Sequence, residues 1–183
     1  EPPMDDLRPE AMVPLLPRLR RHARLLTGQA ARADDLVQDT VERACRKWAL
    51  FSPRGAMPAA LLAWLLTLMH HLYLNGLRDG REHLMEPWDE DQGPALLQSD
   101  PTPALGHALD LQRALARLTP AAREVLLLVT VEEYSYRETA EILDLPIGTV
   151  MSRLARAREQ LRQHLDPTAP RQAPHTPPLR VVK

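Results

Sequence analysis

The chain has 183 residues, 44% of them hydrophobic, and a formal net charge of −1, enough material for one domain of ordinary size or two small ones. Only seven glycines, few β-branched residues and abundant Leu, Ala and Arg point to an all-α protein. A single cysteine, Cys45, excludes an internal disulfide framework and a cysteine-based zinc site, and is expected to be a small buried helix residue. No apolar run is read as long enough to span a bilayer and no signal peptide stands out, so the expected location is cytoplasmic.

The first helix is expected between Met4 and Gly28, its start confined by Pro14 and Pro17, which cannot donate in a helix interior. Leu15, Leu19, Ala23 and Leu26 form its apolar face, Arg18, Arg20, Arg21 and Arg24 fill much of the rest, and Gly28 is a natural stop. A second helix is predicted from about Ala33 to Trp48, with Leu36 or Val37, Val41, Ala44 and Trp48 as its stripe. Its exposed side begins acidic (Asp34, Asp35, Asp39, Glu42) and ends basic (Arg43, Arg46, Lys47), which suits the helix dipole.

Residues Phe51 to Pro58 form a loop by their proline and glycine content. The third helix begins near Pro58 and runs to about Arg78; Ala59 to Met69 is apolar except for Thr67. A helix apolar all round is buried on most sides, so it should be the centre of the N-terminal domain, with Trp64 as a core anchor. Its C-terminal end turns polar, with His70, His71, Tyr73, Asn75, Arg78 and then Arg81.

Glu82 to Pro103 has the composition of a flexible linker: six acids, no Lys or Arg, and four prolines. A helix from Leu105 to Leu118 follows, with Leu105, Leu109, Leu111, Leu115 and Leu118 facing the core. Thr119-Pro120 then starts another, a capping hydroxyl followed by proline at the first helical position. Arg123 to Val131 is strongly apolar and should be the centre of the C-terminal domain. Ser135 and Glu138 have capping-box spacing before a short helix, Asp144-Leu145-Pro146 breaks it, and Gly148-Thr149 restarts it. In the last helix Val150, Leu154, Ala157 and Leu161 form the apolar stripe, while Thr149, Ser152, Arg153, Arg156, Arg158 and Arg162 lie off it. A short helix, a tight turn and a helix rich in Arg, Ser and Thr suit major-groove reading. An ordinary helical hairpin with a solvated basic face fits a bare Ser-x-x-Glu as well. Pro167 to Lys183 is Pro-rich and expected to be disordered.

The small net charge hides a division. Met4 to Arg81 carries net +4, Glu82 to Pro103 net −6, and Ile147 to Leu165 has four Arg against one Glu. Basic charge therefore sits on selected faces and acid mostly in the connector.

The string Ser135-Tyr136-Arg137-Glu138-Thr139-Ala140-Glu141-Ile142-Leu143, then Leu145-Pro146-Ile147-Gly148-Thr149-Val150-Met151-Ser152-Arg153-Leu154 and Arg156-Ala157-Arg158, resembles the C-terminal DNA-binding region of bacterial sigma factors of the extracytoplasmic-function (ECF) group. Asp144 stands where that family usually has Gly; Asp tolerates a left-handed turn residue. Ala33-Asp34-Asp35-Leu36-Val37-Gln38-Asp39-Thr40 is similar to the family's polymerase-binding helix. The segment from Trp64 to Arg78 resembles the helix that handles the minus-ten element, with His71 where the family usually has Asn and Asn75 where it often has Asp.

The resemblance implies two helical domains: region 2 (residues 4–81) and helix-turn-helix region 4 (residues 104–166), joined by the linker 82–103. It implies core RNA polymerase docking through Asp35, Leu36, Gln38 and Asp39. It assigns minus-ten DNA to Arg54, Gly55, Ala56, Asn75, Arg78 and Arg81, and minus-35 DNA to Thr149, Ser152, Arg153 and Arg156. Promoter DNA would be duplex at minus-35 and single-stranded at minus-ten, where flipping a base costs a few kcal/mol that a pocket returns. An anti-sigma protein and a stress-response role are implied too. The acidic connector, which in the family threads through the polymerase, would repel nucleic acid; a plain spacer fits it equally.

Other chemistries find little support. Adjacent His70 and His71 point roughly 100° apart on a helix and cannot share a metal unaided with His22 or His83. No catalytic triad, phosphate-cradling loop or paired carboxylates stand out, so no cofactor and no enzyme activity are expected. A free-standing repressor or activator, and an adaptor that sequesters another regulator, remain as rivals.

Overall fold

In the computed structural model, residues 9–78 and 104–165 are described, with the side chains of 104–109 left aside. The linker 82–103, Arg81 and the tail 167–183 lie outside the described residues. The described chain is helical, in the order α1 (Leu16–Thr27), α2 (Ala30–Arg46), α3 (Ala59–Arg78), α4 (Ala104–Ala116), α5 (Pro120–Thr130), α6 (Tyr136–Leu143) and α7 (Ile147–Leu165). A 3₁₀ stretch, Pro9–Leu15, precedes α1, and a shorter one, Trp48–Leu50, follows α2.

The proline signals act where expected. Pro14 sits in the 3₁₀ stretch and Pro17 in the first turn of α1, where its missing N–H costs nothing. Gly28 closes α1 in the left-handed region at φ 75°, its N–H bonded to Arg24 O. The second helix begins three residues earlier than predicted and ends at Arg46, so Trp48 belongs to the 3₁₀ turn rather than to the helix.

α1, α2 and α3 form the N-terminal body around Leu19, Leu26, Leu61, Leu65 and Met69, all essentially sealed from solvent. Thr40 is buried among them because its hydroxyl donates to Leu36 O (2.7 Å), satisfying it inside its own helix. By length and a mean hydropathy of 1.3, α3 does reach what a bilayer crossing requires, contrary to the expectation that no run does. Its apolar character has another outlet: eight of its residues are buried, against α2 on one side and α6 on another. Two further expectations fail. Cys45 is exposed, on the outer face of α2. Leu111 is 41% exposed, since α4 turns Ala114 inward beside the expected Leu115.

α4 to α7 form the C-terminal body around Val125, Leu127, Leu128, Val150 and Leu154. The two bodies are docked: α1 packs on α5 and α3 on α6, and their apolar residues join one continuous core. The sequence signals predicted the two bodies, not the seam between them.

Candidate nucleic-acid interface

The helix-turn-helix is built by local hydrogen bonds. At the start of α6 the Ser135 N–H donates to Glu138 Oε2 (2.8 Å) and the Glu138 N–H donates to Ser135 Oγ (3.2 Å), the reciprocal box its spacing predicted. The Ser135 side chain and backbone bonds to Glu138 hold that carboxyl below the usual carboxylate range. α6 ends at Asp144, whose φ of 51° and ψ of 52° place it in the left-handed region. The Leu145 N–H then bonds back to Ala140 O (2.9 Å). Leu145 packs on the core, and the Pro146 carbonyl accepts from Thr149 and Val150 to start α7.

α7 is two-faced. Val150, Leu154 and Ala157 are buried, Ser152, Arg156 and Arg158 are exposed, and Thr149 and Arg153 are half-buried. Thr149, Ser152, Arg153 and Arg156 therefore share the outer side, where Ser152 Oγ donates to Thr149 O (3.1 Å). Arg162 is tied instead to Glu159 within the helix (2.8 Å), a bond that lowers the Glu159 pKa.

On the N-terminal body, the loop between α2 and α3 is anchored by aromatics. Phe51 is buried, its ring centroid 4.9 Å from Trp64 and 5.6 Å from Trp48. Trp64 is half-buried, and besides packing on the core it lines a cleft. Arg54, Gly55 and Ala56 project outward from this anchor, all exposed. Gly55 has φ 110°, while nothing lies within 4 Å of where a Cβ would stand, so its backbone angle rather than crowding calls for glycine.

Asn75 and Arg78 are exposed at the far end of α3. From Ala59 to Asn75 is about 24 Å along the axis at a rise of about 1.5 Å per residue. The expected minus-ten residues thus form two stations at opposite ends of α3, not one site.

Asp35, Gln38 and Asp39 line the exposed face of α2. Leu36 does not belong with them: it is 9% exposed and packs into the core, so it backs the face without being part of it. Beside this face lies a groove of about 800 Å³ between α1 and α2, to which α1 contributes Leu16, Arg20 and Arg24.

Sequence reasoning missed the polar ties across the seam. Glu132 is completely buried and receives Arg18 Nε (2.5 Å) and His22 Nδ1 (3.2 Å). Burial alone would raise its pKa, but the hydrogen bonds and charges of His22 and Arg18 outweigh that and hold it below the usual range. His70 Nδ1 meets Glu124 Oε1 at 2.6 Å, and Arg123 donates to Leu26 O (2.6 Å). The available signals were a histidine on the apolar face of the first helix and a lone acid in the run after Arg123.

These features define a two-part helical protein with a helix-turn-helix on one part. A profile of sigma-70 region 4 matches residues 108–161, and one of the Sigma2 domain of PhyR matches residues 12–70. The chain is 33% identical over 159 residues to the ECF RNA polymerase sigma factor EcfG of Rhodopseudomonas palustris, covering 87% of this chain and 85% of that one. Among solved structures it resembles the sigma factor RpoE of Bartonella quintana, determined in complex with the anti-sigma factor NepR. The TM-score is 0.66 at 28% identity, covering 85% of this chain and 94% of that one. It also resembles CnrH in complex with the cytosolic domain of CnrY (TM-score 0.59, 26% identity, 88% of this chain and 92% of that one). The chain belongs to the ECF sigma factors, the subunits that direct RNA polymerase to promoters.

Proposed function

We propose that residues 4–81 act as region 2 and residues 104–166 as region 4, with 82–103 as connector and 167–183 as tail. The exposed face of α2, Asp35, Gln38 and Asp39, docks on core polymerase. The loop carrying Arg54, Gly55 and Ala56 receives the unpaired minus-ten bases, and Asn75, Arg78 and Arg81 follow the strand further along. Thr149, Ser152, Arg153 and Arg156 read the minus-35 duplex. The observation that carries this reading is the division of α7, which buries its aliphatic stripe and leaves a basic, hydroxyl-bearing face to solvent.

The polymerase does the chemistry and this chain contributes none; because it works on polymerase and promoter DNA, its place of work is the cytoplasm. Because the similar RpoE and CnrH are each seen with an inhibitory or cytosolic partner, an anti-sigma protein is expected to hold this chain inactive. Run-off transcription with core enzyme on a random promoter library tests the reading. Specific start sites, lost in Gln38→Ala and Arg153→Ala, are expected; transcription without selected sequences would overturn it.

A further inference from the structure

The outer side of α7 is not uniformly polar. Ile147 is 49% exposed and Met151, one turn on, is 52% exposed; Ala155, exposed as well, continues the line. Steps of four residues advance about 40° around a helix, so these three form a narrow apolar strip. It borders Ser152 on the flank away from Thr149 and Arg153. A single exposed apolar side chain is ordinary, whereas a contiguous strip marks a contact surface. Among the described residues, no other two large apolar side chains this exposed lie one turn apart on a helix.

The surroundings say what the strip meets. From Ile147 to Arg158 there are three arginines and no acid, which calls for an anionic partner. Gly148 lies beside the strip with nothing within 4 Å of where a Cβ would stand, so the first turn is slim enough for close approach. In a helix-turn-helix the N-terminal residues of the second helix are the ones that reach base edges, and the strip begins at that end. In the major groove thymine alone presents a methyl group; the other bases present only polar groups there. A side chain without donors or acceptors gains from the methyl. Over any other base it leaves a polar edge without its hydrogen bond, which costs free energy. Ile147 and Met151 stand about 6 Å apart along the axis, at about 1.5 Å per residue. That spans about two base steps of about 3.4 Å.

We infer that Ile147 and Met151 are specificity-determining residues that take thymine methyl groups, so the element this chain selects carries neighbouring A·T pairs under the start of α7. That assignment rests on reading α7 as the minus-35 helix and adds the base class to it. Arg153 and Arg156, whose guanidinium groups need acceptors, are left to phosphate oxygens or guanine edges.

The test uses holoenzyme, the full chain with core polymerase, and the minus-35 duplex it selects from a random library. Each thymine of that duplex is replaced in turn by uracil, which removes the methyl and leaves every hydrogen-bonding group in place. At two neighbouring positions uracil should weaken binding about fourfold, the effect of burying one methyl-sized group. Met151→Gln keeps the length of an exposed side chain. It should abolish the uracil effect at one position and shift the preferred base there to adenine, which a glutamine amide can grip. Ile147→Ala should abolish the effect at the neighbouring position. Circular dichroism checks that both variants keep their helices. A selected element indifferent to uracil, yet lost in Arg153→Ala, would overturn methyl reading while leaving the minus-35 assignment standing. A uracil effect that persists in both variants would overturn the choice of these two residues. Failure of the wild-type holoenzyme to select any duplex would remove the minus-35 reading itself. Self-association of the wild-type chain in sedimentation, abolished by Met151→Gln and without a uracil effect, would make the strip a contact between copies instead.

Discussion

His70 of α3 and Glu124 of α5 meet at 2.6 Å with side chains only 9% and 5% exposed, joining helices from two bodies that the sequence separates by a long acidic connector. Removing one partner of a buried pair ordinarily costs about 3–5 kcal/mol, because the other charge is stranded. Here the stranded group lies at a seam, and undocking would return it to water. His70→Ala should therefore lose less, about 2 kcal/mol, a figure closer to that of one unmet buried polar group. Urea unfolding is the measurement. A full 4 kcal/mol loss in a still-cooperative transition would mean that the bodies cannot part.

The seam also carries a pH dependence. Glu132 is held below its ordinary pKa of 4.5: burial pushes up, but His22 and Arg18 pull down harder. A carboxyl depressed in the folded state binds fewer protons there than when unfolded, so its contribution is complete above about 4.5 and is lost as pH falls through the depressed value. Docking should thus hold at neutral pH and fail in acid. The distance between spin labels at the native Cys45 on α2 and at Gln160→Cys on α7, both exposed, should lengthen at the acid end when measured from pH 7 to pH 3 in the otherwise wild-type chain. In Glu132→Gln that acid step should disappear; its persistence would assign the titration to another group.

Local signals in the sequence account for nearly all the helix architecture. Pro17, Gly28, the Thr119-Pro120 pair and the Ser135/Glu138 box each act through atoms a few residues away, and each appears where expected. The stripe of α7 was equally legible, because a step of three or four residues determines which side meets the core. Leu36 was harder: it belongs at once to an apolar stripe and to a family docking motif, and only packing decides between them. Cys45 and Leu111 went the other way, since residue type alone does not say which side of a helix finds a neighbour. The seam was least legible of all. His22 and Glu124 were odd residues on apolar faces, but their pairings, with Glu132 and His70 respectively and each across more than fifty positions, leave no periodic trace.

Asp144 isolates one backbone requirement. Its φ of 51° lies where glycine is at ease, Asp is tolerated and β-branched residues are not. Asp144→Gly should leave stability within about 0.5 kcal/mol, the usual range of a surface change. Asp144→Val should cost about 1–3 kcal/mol, the toll for a residue forced into that region, and should weaken minus-35 binding by tilting α7 relative to α6. Thermal unfolding and a duplex gel shift check the two halves; equal stability of the Gly and Val variants would show that the turn relaxes.

Arg153 provides the sharpest test of the minus-35 surface. It lies half-buried on the outer side of α7, one residue after Ser152 and three before Arg156. Each phosphate neutralised by a cation releases about 0.9 of a counterion from duplex DNA, so affinity falls with salt at a slope set by the number of such contacts. Arg153→Ala should therefore reduce the slope of log affinity against log salt by about 1 and weaken binding most at low salt. If Arg153 instead grips a base edge, the loss should be about 1–3 kcal/mol and confined to the cognate sequence. Titrating holoenzyme onto cognate and scrambled minus-35 duplexes at several salt concentrations separates these outcomes. A variant indistinguishable from wild type on both duplexes would remove Arg153 from the interface and shift the reading surface toward Thr149 and Ser152.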